Sequence, residues 1–156
     1  MATAEDQLDC LVIGAGPAGL TAATYLARFR RRVALVSSGQ SRARYIPVSH
    51  NCPGFPFGVS GTDLLAKLAV QAAHFGVETV DAHVQHIERD ADGFRAYADD
   101  DQVWSARTLL LATGIVDKLP PVTHIEKGIA DTVVRICAIC DGYEAQDHRI
   151  LVYGPP

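Results

Sequence analysis

The sequence lacks a long apolar run, an excess of basic residues and a rich set of cysteines. None of its apolar stretches approaches the ~20 residues that a membrane-spanning helix needs, so we expect no membrane partner. The formal net charge of the 156 residues is −4, which gives no electrostatic reason to expect nucleic acid as a partner. The four cysteines are too few and too unevenly spaced for a secreted disulfide scaffold. The first residues are acidic and lack the basic region of a secretory signal, so we expect a cytoplasmic location.

A glycine-rich turn near the N-terminus organises the chain. The apolar run at residues 11–13 is followed by Gly-x-Gly-x-x-Gly, with glycines at positions Gly14, Gly16 and Gly19, and then by a helix-compatible segment. In a strand–turn–helix unit these glycines permit the tight turn, the approach of the backbone to a pyrophosphate and close helix packing. The amides at the helix N-terminus then face the phosphate charge. The pattern predicts a dinucleotide site, although a flexible turn could carry the same glycines.

The segment after this turn departs from the usual dinucleotide pattern. A helix over residues 17–29 and a strand over residues 33–36 complete a β-α-β unit. Asp or Glu commonly follows this second strand and binds the ribose hydroxyls. Here the residues are Ser37, Ser38, Gly39 and Gln40. A serine hydroxyl can also hydrogen-bond a ribose, but more weakly than a carboxylate.

The middle of the chain predicts a loop, a helix and a small set of antiparallel strands. Residues 41–58 are rich in Pro and Gly and indicate a long loop, of the kind that tends to be functional. Ser60 opens a helix through Phe75 that Gly76 closes. The antiparallel strands that follow are expected at residues 84–87, 94–98 and 103–104, and residues 108–114 are expected to form another buried strand of the parallel type.

We predict no metal site in this region. The acidic turn at residues 99–101 lacks the ligand spacing of a calcium-binding loop. His83 and His86 are three apart in a predicted strand, and their side chains should therefore point to opposite faces.

The last third of the chain carries a second chemical signal, Cys137-x-x-Cys140. Strands are predicted on either side of it, at residues 132–136 and 149–154, after a proline-containing linker at residues 115–121. Two thiols at this spacing at a helix start can close a small disulfide, and the helix amides favour the reactive thiolate. Redox exchange is our prediction, with zinc binding and incidental cysteines as alternatives, because Cys10 and Cys52 do not supply a second ligand pair at zinc-site spacing. Asp141 is placed either to protonate a leaving thiolate or to act only as a structural carboxylate at a helix start.

A dinucleotide fold joined to a redox dithiol implies a disulfide oxidoreductase, in which a cofactor carries two electrons and the cysteines pass them on. The chain resembles the low-molecular-weight thioredoxin reductases over nearly its whole length. Six motifs, in the family's order, carry the resemblance: Gly14–Gly19, Gly39-Gln40, Asn51–Pro56, Ser60-Gly61, Ala112–Gly114 and Cys137–Gly142.

The resemblance implies an α/β fold with a Rossmann-like FAD-binding parallel sheet, an inserted small antiparallel β-meander and the start of a second Rossmann-like nicotinamide domain. The corresponding domains would be residues 1–117 and 118–156. The family also implies FAD and NADPH as cofactors, thioredoxin or a similar small disulfide protein as partner, and a cytoplasmic homodimer.

Site residues follow from the same resemblance. The FAD pyrophosphate would be held by Gly14, Gly16, Ala18 and Gly19, and the ribose and phosphate loop would be Ser37, Ser38, Gly39 and Gln40. Asn51 would approach the flavin, and the residues packing along the cofactor would be Ala112, Thr113 and Gly114. Cys140 would receive electrons from the flavin, Cys137 would attack the partner's disulfide, and Asp141 would be the acid.

The sequence also departs from the family near its end. The family's nicotinamide domain has its own glycine-rich turn, which here begins with Gly154 and continues Pro155-Pro156. A proline at this point has a ring where a phosphate should approach, and no N–H to donate. We therefore expect the first half of such an enzyme, with little NADPH-dependent turnover. The alternatives are a flavin-binding or redox-sensing chain without turnover, and a related flavoenzyme with a different acceptor.

Overall fold

The computed structural model describes residues 7–99 and 101–154, which form two compact units. The first unit contains residues 7–41 and 65–114, apart from residue 100, and the second contains residues 42–64 and 115–154. The predicted boundary at residue 117, between a flavin domain and the start of a nicotinamide domain, stays a prediction.

The first unit is built on one six-stranded sheet. Its strands are β1 (Leu8–Ile13), β2 (Val33–Ser37), β3 (Thr79–Asp81), β4 (Val84–Arg89), β5 (Phe94–Ala98) and β6 (Val103–Leu111). Their spatial order is β3-β2-β1-β6-β5-β4. The first four strands in this order run parallel, whereas β5 and β4 are antiparallel additions. The predicted Rossmann-like parallel sheet with an antiparallel meander is confirmed.

The central strands are apolar on both faces because both faces are covered. Successive strand residues point to opposite sides of a sheet. Val12 and Leu35 accordingly join the core cluster that includes helix α1 (Pro17–Arg28), whereas Leu11 and Val36 join a second cluster on the other face. All four side chains are fully buried, and each such burial contributes about 1.5–3 kcal/mol.

The second predicted helix is confirmed together with its start and stop signals. Helix α2 spans Gly61–His74, and the Ser60 hydroxyl accepts the Asp63 amide N–H at 3.0 Å. At the other end Gly76 adopts a φ of 79°. Its amide and that of Val77 bond back to carbonyls of the last helical turn, which closes the helix.

Two strands that the sequence pattern separates form one strand. The intervening Ala106 is fully buried and pairs with Leu8 of β1 on one side and Phe94 of β5 on the other. The small side chain lets β6 continue between the two neighbours. The prediction of separate strands at residues 103–104 and 108–114 was therefore wrong, and regular strand structure ends at Leu111.

Neither strand predicted around the cysteine pair forms. Thr132 has a φ of 62°, and the amides of Val133 and Val134 both bond to the Gly128 carbonyl at the end of helix α3 (Ile125–Ala130). These amides cannot join a sheet ladder. Residues 150–153 are exposed and have no pairing strand among the described residues, which a strand requires for its backbone groups. The following Pro155-Pro156 lies outside the described residues.

The predicted long loop is partly ordered. A 3₁₀ helix covers Arg42–Tyr45, and Ser49 pairs with Val59 in an isolated antiparallel bridge. The short helix α4 spans Ala138–Asp141. Within the described part of the chain, no helix is both long and apolar enough to cross a membrane.

Candidate dinucleotide and dithiol sites

Three predicted cofactor segments meet at one edge of the sheet in the first unit. Strands β1, β2 and β6 are parallel, and Ile13 pairs in register with Val36 on one side and Leu111 on the other. The Gly14 amide donates to the Val36 carbonyl at 2.8 Å, and the Ala112 amide donates to the Ile13 carbonyl at 2.8 Å. The glycine turn, the serine loop and the segment after β6 therefore begin side by side, at the strand ends where open α/β sheets bind ligands.

The three glycines of the turn have different physical roles. Gly14 has a φ of 105°, and a Cβ there would collide with the Ala112 carbonyl oxygen; a Cβ on Gly19 would collide with the Gly14 carbonyl oxygen. Gly16 has an ordinary φ of −76°, and a Cβ there would meet only the Ser41 hydroxyl oxygen at 3.3 Å. Packing within the chain requires the first and third glycines but not the second. Apart from the Ser41 hydroxyl, no atom of the chain crowds Gly16, which fits a pyrophosphate that approaches the backbone.

The start of helix α1 supports the same fit. Gly16 is the N-cap residue and makes no side-chain cap, Pro17 follows, and the first turn contains no acidic residue. The first amides of a helix have no intrahelical partner, so the positive end of α1 is not neutralised by a carboxylate of its own first turn. Ala18 in this turn is exposed. These features suit an anionic ligand.

The serine loop after β2 offers few side chains that could bind a ribose. The Ser37 hydroxyl accepts the Gly39 amide N–H at 3.2 Å, which shapes the turn. Ser38 and Gln40 are exposed. The predicted serine contact with a ribose thus rests mainly on the exposed Ser38, because Ser37 is less exposed and one lone pair of its hydroxyl already accepts the Gly39 amide.

Sequence reasoning missed a carboxylate beside this loop. Asp81 ends β3 and pairs in register with Ser37 across the parallel ladder. Register partners on adjacent strands project from the same face, and neighbouring strands lie about 4.8 Å apart. Asp81 is exposed, and its carboxylate has no hydrogen-bond or ion-pair partner among the described residues. The sequence alone does not show that Asp81 lies beside Ser37, because the two residues are 44 positions apart. Only the strand order brings them together.

The remaining predicted cofactor residues divide between the two units. Thr113 and Gly114 are exposed at the end of the segment that follows β6, and Gly114 has a φ of 67°. Asn51 belongs to the second unit, where its side-chain oxygen accepts the Ser49 hydroxyl at 2.7 Å.

The second unit contains the dithiol. Cys137 and Cys140 form a disulfide with Cα atoms 5.3 Å apart. Cys137 is the N-cap of α4, and its sulfur accepts the Cys140 amide N–H at 3.2 Å. The predicted position at a helix start is thus observed, but α4 has only four residues. A single turn has little macrodipole, so side chains must set most of the charge around the sulfurs.

Two arginines hold the segments that flank the disulfide. Arg42 donates from Nε to Asp117 at 2.5 Å and from Nη2 to the Ile136 carbonyl at 2.9 Å. Arg135 donates from Nη1 to Asp141 at 2.9 Å. The peptide before Cys137 and the carboxylate after Cys140 are therefore both fixed by guanidinium groups.

Loss of the Arg42 contacts should destabilise the second unit. Arg42→Met removes a charge-assisted bond to Asp117 and leaves the Ile136 carbonyl without this donor, and both ionic side chains are only 23% exposed. We expect a loss of about 2 kcal/mol in the free energy of unfolding, measured as a lower urea midpoint. The exposed Lys118→Met serves as the matched control, and equal midpoints for the two variants would contradict the expectation.

The other two cysteines are free thiols in different surroundings. Cys10 is a buried core residue of β1, and Cys52 is half-buried. Over the described ranges, no three His, Cys, Asp or Glu side chains are grouped to hold a metal ion.

Comparison with known proteins identifies the family. Residues 8–155 match the pyridine nucleotide-disulphide oxidoreductases, and the chain belongs to this family. A 34.2 kDa protein in the rubredoxin operon of Clostridium pasteurianum is 34% identical over 155 residues, which cover 96% of this chain and 49% of the relative. A thioredoxin reductase of Rickettsia typhi is 30% identical, covering 92% of this chain and 47% of the relative.

Solved structures agree with this assignment. The crystal structure of thioredoxin reductase from Streptococcus pyogenes aligns with a TM-score of 0.82 and 33% identity, covering 88% of this chain and 44% of that one. The chain is therefore similar to thioredoxin reductases in sequence and fold, as the sequence motifs predicted. It spans about half the length of the curated relatives it matches.

Proposed function

We propose that the chain carries the flavin site and the dithiol of a thioredoxin reductase-type enzyme. Electrons would pass from NADPH through FAD to Cys137 and Cys140, and on to thioredoxin or a similar small disulfide protein. The family's cytoplasmic homodimer belongs to the same proposal. The observation that carries it is the Cys137–Cys140 disulfide, in a chain whose glycine turn leaves space for a pyrophosphate at Gly16.

Each cysteine has one role in this proposal. When bound and reduced, the flavin would supply an electron pair, and with two protons this pair would convert the Cys137–Cys140 disulfide into a dithiol. The Cys137 thiolate then attacks the partner's disulfide, which forms a mixed disulfide and releases one partner thiolate. The Cys140 thiolate attacks the Cys137 sulfur, releases the partner's second thiolate and restores the disulfide. In this proposal Asp141 would take up a proton and give it to the first leaving thiolate.

The electron path is tested on the chain itself, loaded with FAD. Anaerobic photoreduction of bound FAD should produce two new alkylatable thiols per flavin, located at Cys137 and Cys140 by mass spectrometry. Reduced flavin without new thiols would contradict the path and favour a flavin-binding chain without dithiol exchange. Failure to bind FAD would contradict the cofactor site itself.

Asp81 supplies the ribose-binding carboxylate that is missing after β2. We expect Asp81→Asn to weaken ADP binding about fivefold to tenfold, which is the effect of losing one charge-assisted hydrogen bond to a ribose hydroxyl. Binding of 2′-deoxy-ADP should not change, because this ligand lacks the 2′-hydroxyl. Isothermal titration of both ligands measures the difference.

The matched control is Asp92→Asn, an exposed aspartate in the turn between β4 and β5. A uniform gain of affinity for both nucleotides would mean that the Asp81 carboxylate acts only by repelling the phosphates, and a uniform loss would mean that it does not act through the 2′-hydroxyl. An unchanged affinity for ADP would remove Asp81 from the site and leave the ribose to Ser38.

A further inference from the structure

An ion pair joins a residue before the cysteine motif to a residue after it. Arg135 precedes Cys137 by two residues, and Asp141 directly follows Cys140. The guanidinium Nη1 lies 2.9 Å from Asp141 Oδ1, and Nε donates to the Thr132 carbonyl at 3.0 Å. The two side chains are 32% and 18% exposed, and both line one small cavity together with the two cysteines.

The other charged groups near this cavity already have partners. Arg42 lines the same cavity and is bound to Asp117, and the uncharged phenol of Tyr45 lies on the same wall. In the same unit His50 Nδ1 lies 3.3 Å from Glu144 Oε1, the buried Oε2 of Glu144 has no partner among the described residues, and neither side chain lines the cavity. The one-turn helix α4 adds little dipole. The net charge beside the two sulfurs therefore depends on the Arg135–Asp141 ion pair.

We propose that Arg135 is a positioning residue that neutralises the Asp141 carboxylate and so lets the reduced cysteines form the reactive thiolate. The proposal rests on the redox function proposed above. An isolated carboxylate next to Cys140 would oppose a second negative charge on either sulfur. A guanidinium bonded to that carboxylate offsets the repulsion and also fixes the carboxylate's position through the Thr132 carbonyl.

Alkylation of the reduced chain tests this directly. The chain is reduced, freed of reductant and treated with iodoacetamide from pH 5 to pH 9, and the modification of Cys137 and Cys140 is followed by mass spectrometry. Arg135→Gln should slow alkylation at pH 7 about threefold to tenfold and move the pH profile upward. Asp141→Asn should move the profile downward. The double variant should return close to the unsubstituted chain, and Arg135→Lys should restore most of the rate.

Internal controls distinguish an effect of charge on the alkylation rate from an effect of unfolding. Cys10 is buried in the first unit, so its alkylation reports unfolding there, and the half-buried Cys52 belongs to the second unit and reports unfolding of that unit. The exposed Arg149→Gln removes a positive charge elsewhere in the same unit. If Arg135→Gln perturbs folding of the second unit, Cys52 becomes more reactive, and the Arg135→Lys and Asp141→Asn profiles decide the question.

Two results would overturn the proposal: an unchanged profile for folded Arg135→Gln, or a double variant as slow as Arg135→Gln alone. The proposed redox function fails by a different result. If Cys137 and Cys140 do not interconvert reversibly between dithiol and disulfide, that function is lost, while the effect of Arg135 on thiol alkylation can still be measured.

Discussion

Adding one methyl group at Gly16 is expected to remove flavin binding while leaving the fold intact. The added carbon would have only the Ser41 hydroxyl oxygen near it, at 3.3 Å, and the backbone there has an ordinary φ. Gly16→Ala should therefore unfold at the same urea concentration as the unsubstituted chain. A methyl group in the path of the pyrophosphate should weaken FAD binding on the order of 100-fold, or about 2.7 kcal/mol. Quenching of flavin fluorescence measures the affinity.

The matched variant is Gly19→Ala, in which the same methyl group meets the chain itself. It would collide with the Gly14 carbonyl oxygen, and such overpacking should lower the free energy of unfolding by about 3 kcal/mol. The test compares the two variants: Gly16→Ala should lose FAD affinity and keep its stability, whereas Gly19→Ala should lose stability. Unaltered FAD affinity in Gly16→Ala would mean that the glycine turn is not a cofactor cradle.

Replacing Cys140 by serine should abolish the reversible two-electron oxidation of the chain. Equilibration of the unsubstituted chain with reduced or oxidised glutathione should change its thiol content by two, because only Cys137 and Cys140 are paired and Cys10 and Cys52 are free. In Cys140→Ser no intramolecular disulfide can replace the Cys137–Cys140 bond, since a dithiol is needed to close the bond. Any thiol still lost is a mixed disulfide, which mass spectrometry recognises by the added mass of glutathione. Thiols are counted after denaturation, so burial does not hide them.

Cys52→Ser is the control, and it should keep the full two-thiol change. A two-thiol change that persisted in Cys140→Ser would reveal a different pair, and one that disappeared in Cys52→Ser would assign Cys52 to the redox couple. Stoichiometric zinc in the purified chain, without any thiol change, would favour the zinc alternative.

The sequence predicted the central strands and helix α2 correctly, because the apolar and capping residues of these segments agree with their burial in the fold. The apolar residues 11–13 and 33–36 are strands with both faces covered, and Ser60 and Gly76 bound helix α2 as their capping chemistry requires. The strand predictions failed where apolar residues lack a sheet neighbour. Residues 132–136 contain β-branched side chains, yet their amides are used by the turn after α3.

The motifs alone determined that the chain has a dinucleotide-type turn and a cysteine pair, because these depend on short spacings of glycine and cysteine. Only the tertiary structure decided which residues outside those motifs lie beside them. Strand order brings Asp81 next to Ser37, and the fold around the short helix α4 brings Arg135 to Asp141. The reason is that a side chain's neighbours are set by long-range folding, which brings together groups that the linear order keeps apart.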